Sequence, residues 1–315
     1  MESDIQAVDI HNLRTLLGIG AKDAVLYAAC TPCQPFSTLN QRRGKDDRKD
    51  LLLAFSALVL SAPPDYILVE NVPGLKNKHG KQVYKTFLEH LQAAGFHNQD
   101  ADLVDAQDHG VPQIRKRFIL LASRSGSINL PLKKPGRKPT VRRAIGSMPA
   151  PTIGISSRPG SRSAPSATVA GPPGTEPILP NHIARRLSAA HAKIMAAVPV
   201  NGGSRSDVED TSILLACHQR NPRLHRDVFG RMSWDNPAPT LTCRCTDVYC
   251  GRFGHPEEPR GLTLREVAAL QTFRKNYVFY GTFHHAAAQI GNAVPVALAC
   301  RLGGSVMLAE LGRRR

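Results

Sequence analysis

Three short apolar runs without helical spacing stand out in the N-terminal part of the chain: AVLYAAC (24–30), DYILVE (65–70) and RFILLAS (117–123). Apolar runs of that length, bounded by polar residues, predict buried strands. Between them, KDLLLAFSALVLS (49–61) and GKQVYKTFLEHLQAA (80–94) predict helices. Gly95 closes the second, as the residue type best suited to the left-handed turn at a helix C-terminus. Strand–helix alternation predicts a mostly parallel sheet covered on both faces. In such sheets chemistry collects at the carboxyl ends of strands, where TPCQPFS follows the first run and NVPGL the second.

Residues 131–180 break this pattern. They hold 11 of the 24 prolines, interleaved with Ser, Gly and Arg, which predicts a boundary and an irregular stretch. A helix is predicted over 182–198, a turn at Gly202-Gly203 and a strand-like piece at APTLTC (238–243). GLTLREVAALQTF (261–273) predicts a helix from Thr263, with Glu266 three residues on to complete a capping box. The apolar tail 286–311 reads as helix interrupted by GNAVP. No internal repeat is visible.

Charge sharpens the picture. Lys and Arg total 41 against 25 acids in 315 residues, a net charge of +16. The excess is uneven: residues 131–186 carry ten basic residues (Lys133, Lys134, Arg137, Lys138, Arg142, Arg143, Arg158, Arg162, Arg185, Arg186) against one acid, Glu176. Such an excess favours a polyanion, most often nucleic acid, or else forms a solvated basic linker. No apolar run reaches the roughly 18 residues of a membrane span, and MESDIQAVDI lacks the apolar core of a secretory signal, so a cytoplasmic location is expected. The seven cysteines, an odd number scattered along the chain, are not expected to form a disulfide framework. Cys243, Cys245 and Cys250 lack the second pair that zinc usually takes, so no metal is expected.

Candidate chemistry gathers at the strand ends. Cys33 in TPCQPFS is a nucleophile if its surroundings favour thiolate, a buried structural thiol if they do not. The pair Cys30/Cys33 also has redox spacing, but Pro35 disfavours the helix a thioredoxin-like site would need. Glu70 ends the second strand and is expected in a cleft, because Leu68 and Val69 before it read as buried. Gln113, Arg115 and Arg117 alternate, which places them on one face of a strand; a polar site, a buried salt-bridge network and a basic solvent stripe all fit.

TPCQPFS, ENVP, QIRKRF, GLTLREVAALQTF and QIGNAVP occur in the order and approximate spacing of motifs IV, VI, VIII, IX and X of the DNA (cytosine-5)-methyltransferases, and the chain resembles the bacterial, restriction-modification type of that family. The segments around Gly230–Thr240 and Gly251–Pro256 also resemble the region before motif IX. The resemblance implies an α/β fold: a Rossmann-like S-adenosylmethionine-dependent methyltransferase sheet, lacking its N-terminal strands, with a smaller target-recognition domain. It implies a partial catalytic domain over 1–126, a target-recognition domain over 127–276 and a return to the catalytic domain over 277–315. Double-stranded DNA and S-adenosyl-L-methionine are the implied partner and cofactor.

The mechanism implied is attack of Cys33 thiolate on C6 of a flipped cytosine. Glu70 would bind the N3/N4 edge and protonate N3. Arg115 would hold O2, with Arg117 and Gln113 supporting. The loop Ser37–Arg48, with Ser37, Gln41, Arg42, Arg43 and Arg48, would close over DNA. Asp4, Pro32, Leu51, Asn292 and Val294 match cofactor-lining positions, with Asp9 a second choice for Asp4.

The family normally opens with a strand and a Gly-rich loop for the methionine end of the cofactor (motif I), followed by an acidic residue for its ribose (motif II). Neither is found here. Gly18-Ile-Gly20 follows NLRTLL, which reads as helix. A separate polypeptide supplying motifs I and II, a truncated reading frame and an unusual lone fold are the three readings of that start. A non-enzymatic DNA-binding remnant and an RNA cytosine methyltransferase are the alternative functions; ENV and Q-x-R-x-R beside a single P-C-Q favour DNA.

Overall fold

A computed structural model describes residues 4–31, 51–77, 80–155, 179–221 and 225–314. These divide into two compact units, the first made of Met1–Asp105, Lys116–Lys133 and Cys300–Arg315, the second of Ala106–Arg115 and Lys134–Ala299. No single helix among the described residues is long and apolar enough to cross a membrane.

The first unit opens with α1 (Ile10–Leu16), capped by Asp9, whose carboxylate accepts from the amides of His11 and Asn12. Its other end explains the glycine pair. Gly18, at φ +64°, donates to Thr15 O and Ile19 donates to Arg14 O, the two bonds of a Schellman stop. Gly18 therefore ends a helix rather than cradling a phosphate.

A four-stranded sheet comes next, built from β1 (Leu26–Ala29), β2 (Tyr66–Asn71), β3 (Asn98–Asp105) and β4 (Lys116–Ser123) in the order β1-β2-β4-β3. Strands β1 and β2 are parallel, with Leu26 opposite Tyr66 and Ala29 opposite Val69. Here the structure corrects the expectation of a mostly parallel sheet: β4 runs antiparallel to both β2 and β3. The physical reason lies in the connection. Only a short 3-10 turn, Ala106–His109, and a loop separate β3 from β4, and a parallel crossover needs a dozen residues or more. Strand β3 was also missing from the sequence pattern. NQDADLVD is polar because the strand lies at the end of the sheet, with four of its eight residues exposed.

Helices α2 (Leu51–Ser61) and α3 (Lys81–Ala93) cover the sheet's apolar residues. In α2 the spacing of Leu52, Phe55, Ser56 and Val59 gives one buried face; α3 contributes Phe87 and Leu91. Ser56 Oγ and His90 Nδ1, 2.7 Å apart, add a polar tie between the helices. Gly95, at φ +88°, stops α3 with another Schellman pair, Gly95 N to Gln92 O and Phe96 N to Leu91 O.

The second unit has little regular structure: α4 (Val141–Ile145), the parallel pair β5 (Thr152–Ile155) and β6 (Ile183–Arg185), α5 (Ala189–Ala197), α6 (Ala216–Arg220), α7 (Leu264–Leu270) and α8 (Phe283–Asn292). Helix α9 (Val296–Arg313) starts in this unit and ends in the first. The helix expected over 182–198 is confined to α5, because Ile183–Arg185 pairs with β5 and Ser188 sets the N-cap of α5. APTLTC is not a strand; Ala238 makes one isolated bridge to Gln113. The capping box is present as expected, Thr263 Oγ1 accepting from Glu266 N and Glu266 Oε2 from Thr263 N.

With so little ladder, buried carbonyls need other donors, and arginine supplies them. Arg231 donates to the carbonyls of Met195, Val198, His255 and Glu258 at 2.6–3.1 Å. Arg265 serves those of Pro180, Arg274 and Tyr277. Arg260 pairs with Glu266 at 2.8 Å beneath α7.

Candidate active site

The parallel register brings the carboxyl ends of β1 and β2 side by side. Two residues mark that edge. Asn71, fully buried, donates from Nδ2 to Thr31 Oγ1 at 3.0 Å, while its Oδ1 accepts from Val72 N at 2.8 Å. Thr31 stands two residues before Cys33 in the sequence, and this bond holds Thr31 against the end of β2. Sequence reasoning named Glu70 in ENVP and passed over Asn71; an amide between a strand end and a Val-Pro turn was the available signal.

Glu70 is 8% exposed and sits in the ladder opposite Ile119. Its Oε1 lies 2.9 Å from Arg117 Nε, and Arg117 also donates to Lys116 O at 2.8 Å. The carboxylate is therefore held by a neighbouring strand, in an environment that penalises an unpaired charge. Glu70 and Arg117, named separately from the sequence, are in direct contact in the structure.

Gln113 and Arg115 belong to the second unit and are engaged there. Gln113 donates to Gln271 Oε1 and accepts from Leu241 N, both at 3.0 Å. Arg115 donates to Leu241 O at 2.9 Å and Gly291 O at 3.3 Å. Burial alternates from Gln113 through Ile114, Arg115 and Lys116 as a strand would require, although the ladder itself starts at Lys116. The two side chains grip the main chain of Leu241 from both sides, a role that sequence could not reveal because the partners are more than 120 residues away.

Cys33, Pro32, Ser37, Gln41, Arg42, Arg43 and Arg48 lie outside the described residues. Of the positions matched to the cofactor, Asp4 and Asn292 are exposed, and Leu51 and Val294 half-buried. Asp4 and Leu51 belong to the first unit and Asn292 and Val294 to the second, so each unit carries one polar and one aliphatic residue of the matched set. No glycine cradle for the methionine end accompanies them among the described residues: the first strand is β1, preceded by α1 and a turn.

The basic stretch is less uniform than its sequence implied. Arg185 is buried and paired with Asp247 at 2.5 Å, so it belongs to the core of the second unit and not to a polyanion surface. Lys138 pairs with Asp108. Lys133, Lys134, Arg137 and Arg143 are exposed.

The sheet mixes parallel and antiparallel strands, with Glu70 at the carboxyl end of β2, and the unit is of the α/β class. The chain belongs to the C-5 cytosine-specific DNA methylase family, whose model matches residues 2–307. Among curated relatives, the type II methylase M.HgiDII of Herpetosiphon aurantiacus is 34% identical over 95% of this chain and 79% of its own length. The type II methyltransferase M.XorII of Xanthomonas oryzae is 30% identical, covering 94% of this chain and 71% of its own. Among solved structures, a chain described as a DNA modification methyltransferase encoded within a prophage of E. coli aligns with TM-score 0.71 at 20% identity, over 98% of this chain and 85% of that one. The Entamoeba histolytica methyltransferase EhMeth aligns with TM-score 0.60 at 15% identity, over 97% of this chain and 82% of its own. At those identities the structures speak for the fold, and the fold is that of the methyltransferases.

Proposed function

We propose that this chain carries out C5 methylation of cytosine in double-stranded DNA through a covalent cysteine adduct, in the modification arm of a restriction system. The observation that carries the reading is the Asn71–Thr31 bond beside the buried Glu70, which supports it because Thr31 precedes Cys33 by two residues in the sequence. The names of the type II relatives support the biological setting.

In this reading the target cytosine is flipped from the duplex, at an unstacking cost of a few kcal/mol. Cys33 Sγ, as thiolate, adds its electron pair to C6 and makes C5 nucleophilic. Glu70 holds the N3/N4 edge and delivers a proton to N3, so the adduct carries no full negative charge. Arg117 keeps the Glu70 carboxylate oriented; Arg115 holds O2, and Gln113 supports the segment that carries it. S-adenosylmethionine, when bound, supplies an electrophilic methyl group for C5; Asp4, Pro32, Leu51, Asn292 and Val294 would hold its share of the site. Loss of the C5 proton then expels Cys33. Ser37, Gln41, Arg42, Arg43 and Arg48 would cover the DNA, and residues 127–276 would carry target recognition.

The test is a duplex with 5-fluorocytosine at the target. Fluorine cannot leave C5 as a proton does, so the wild type should be trapped as a covalent adduct. Cys33→Ser should bind DNA and form no adduct, since a hydroxyl is a far poorer nucleophile near neutral pH. Cys30→Ser should still form it. An adduct that survives in Cys33→Ser and is lost in Cys30→Ser would overturn the assignment.

A further inference from the structure

The second unit holds a cavity of about 220 Å³ that the proposed chemistry does not use. Its rim carries Lys134, Arg137, Lys138 and Arg143, all of them exposed. The segment that bears them is anchored at two points on one residue: Lys134 N donates to Asp108 O at 2.7 Å, and the Lys138 ammonium pairs with the Asp108 carboxylate. Between these anchors Gly136 turns the chain at φ +98°, with nothing within 4 Å of where a Cβ would stand. The cationic rim is thus built on fixed backbone.

A second observation points at the same cavity. Thr272, on its wall, has φ +62°. A β-branched residue in the left-handed region is a true outlier, and such strain gathers at functional sites. The surroundings hold it there, since Thr272 Oγ1 donates to Gln271 O at 2.6 Å and accepts from Ala297 N at 2.8 Å.

We propose that this cavity seats one backbone phosphate of the DNA and positions the duplex without reading its sequence. The inference rests on the DNA-methylation reading and adds to it a phosphate site outside the catalytic residues. Two guanidinium groups offer the planar, paired donors that match phosphate oxygens. Among the described residues no aromatic side chain lines the cavity, so they offer a base no stacking surface. The ligand is therefore the phosphodiester and not the nucleobase, and the contact fixes register without specifying sequence.

The experiment is the salt dependence of binding to duplexes of several unrelated sequences. The Arg137→Gln/Arg143→Gln pair should weaken binding to all of them alike, by about tenfold at low salt, and should lower the log–log salt slope by roughly one. Arg137→Lys/Arg143→Lys keeps the charge and should keep the slope. Lys81→Gln/Lys85→Gln on α3 removes equal charge elsewhere and should leave the slope at its wild-type value. Inorganic phosphate serves as the second probe. A slope unchanged in Arg137→Gln/Arg143→Gln overturns the proposal, and so does loss of phosphate binding with duplex binding intact, which would mark a free-anion site. Loss confined to one sequence would make these residues base readers and overturn it too. If the wild type binds no duplex, the methylation reading itself falls, a result distinct from each of these.

Discussion

Cys245 and the exposed thiols should part company under alkylation. Cys30, Cys217, Cys243 and Cys300 are exposed, whereas Cys245 is fully buried with its Sγ 3.8 Å from Ala287 O. Burial pushes the Cys245 thiol up to about 12, so it carries almost no thiolate near neutral pH. Iodoacetamide with mass mapping should label the exposed four in the native protein and reach Cys245 only in denaturant; early labelling of Cys245 would contradict its place in the core. Thr272 offers a second residue-level measurement. Thr272→Ala keeps the left-handed strain and removes the acceptor for Ala297 N, and should cost about 1–2 kcal/mol in urea unfolding. Thr272→Gly removes the same acceptor but relaxes the backbone, and should cost less. The reverse order would mean that φ +62° is not strained here.

At the scale of elements, helix ends were legible because their determinants are neighbours in sequence. The capping box of α7 ties Thr263 and Glu266 across three residues, and Glu266 also receives Arg260. Thr263→Ala should cost about 1 kcal/mol or somewhat more, since it leaves Glu266 N without an acceptor in a fully buried position. Thermal unfolding reads this directly, and a change within error would show the cap to be idle. Strands were harder. β1, β2 and β4 declare themselves by apolar runs, β4 being buried from Phe118 to Ser123. β3 does not, because only a sheet partner makes a strand of NQDADLVD. The 182–198 stretch failed for a related reason: its first residues took a strand partner, β5, before helix could start.

Across the whole molecule, the net charge of +16 overstates what faces a polyanion. Arg115, Arg185, Arg205, Arg231, Arg260 and Arg265 are all buried, so at least these six do not form a basic surface. Where charge does meet the fold, pH should show it. Glu310 near the end of α9 accepts from Arg313, Arg314 and, on β2, the Tyr66 hydroxyl at 2.6–2.9 Å. The bonds from Arg313 and Arg314 bring its pKa down from 4.5 to about 2. A carboxyl with a lower pKa in the folded chain stabilises above its unfolded value and loses that contribution as pH falls through the folded one. The stability difference between wild type and Glu310→Gln should therefore be full near neutral pH, shrink below pH 4.5 and vanish near about 2. A pH-independent difference would place the effect in packing alone.

Sequence by itself determined the helix stop at Gly95, the start of α7, the three apolar strands and the order of the motifs that mark the family. Each rests on interactions within a few residues or on a run that must be buried. Tertiary structure decided the direction of β4, the existence of β3 and which arginines are scaffold. It also decided the partners of the candidate site: Glu70 with Arg117, Asn71 with Thr31, and Gln113 and Arg115 with Leu241. A buried charge or amide is stable only with its partner in place, and those partners stand 40 to more than 120 residues away along the chain, where no local pattern records them.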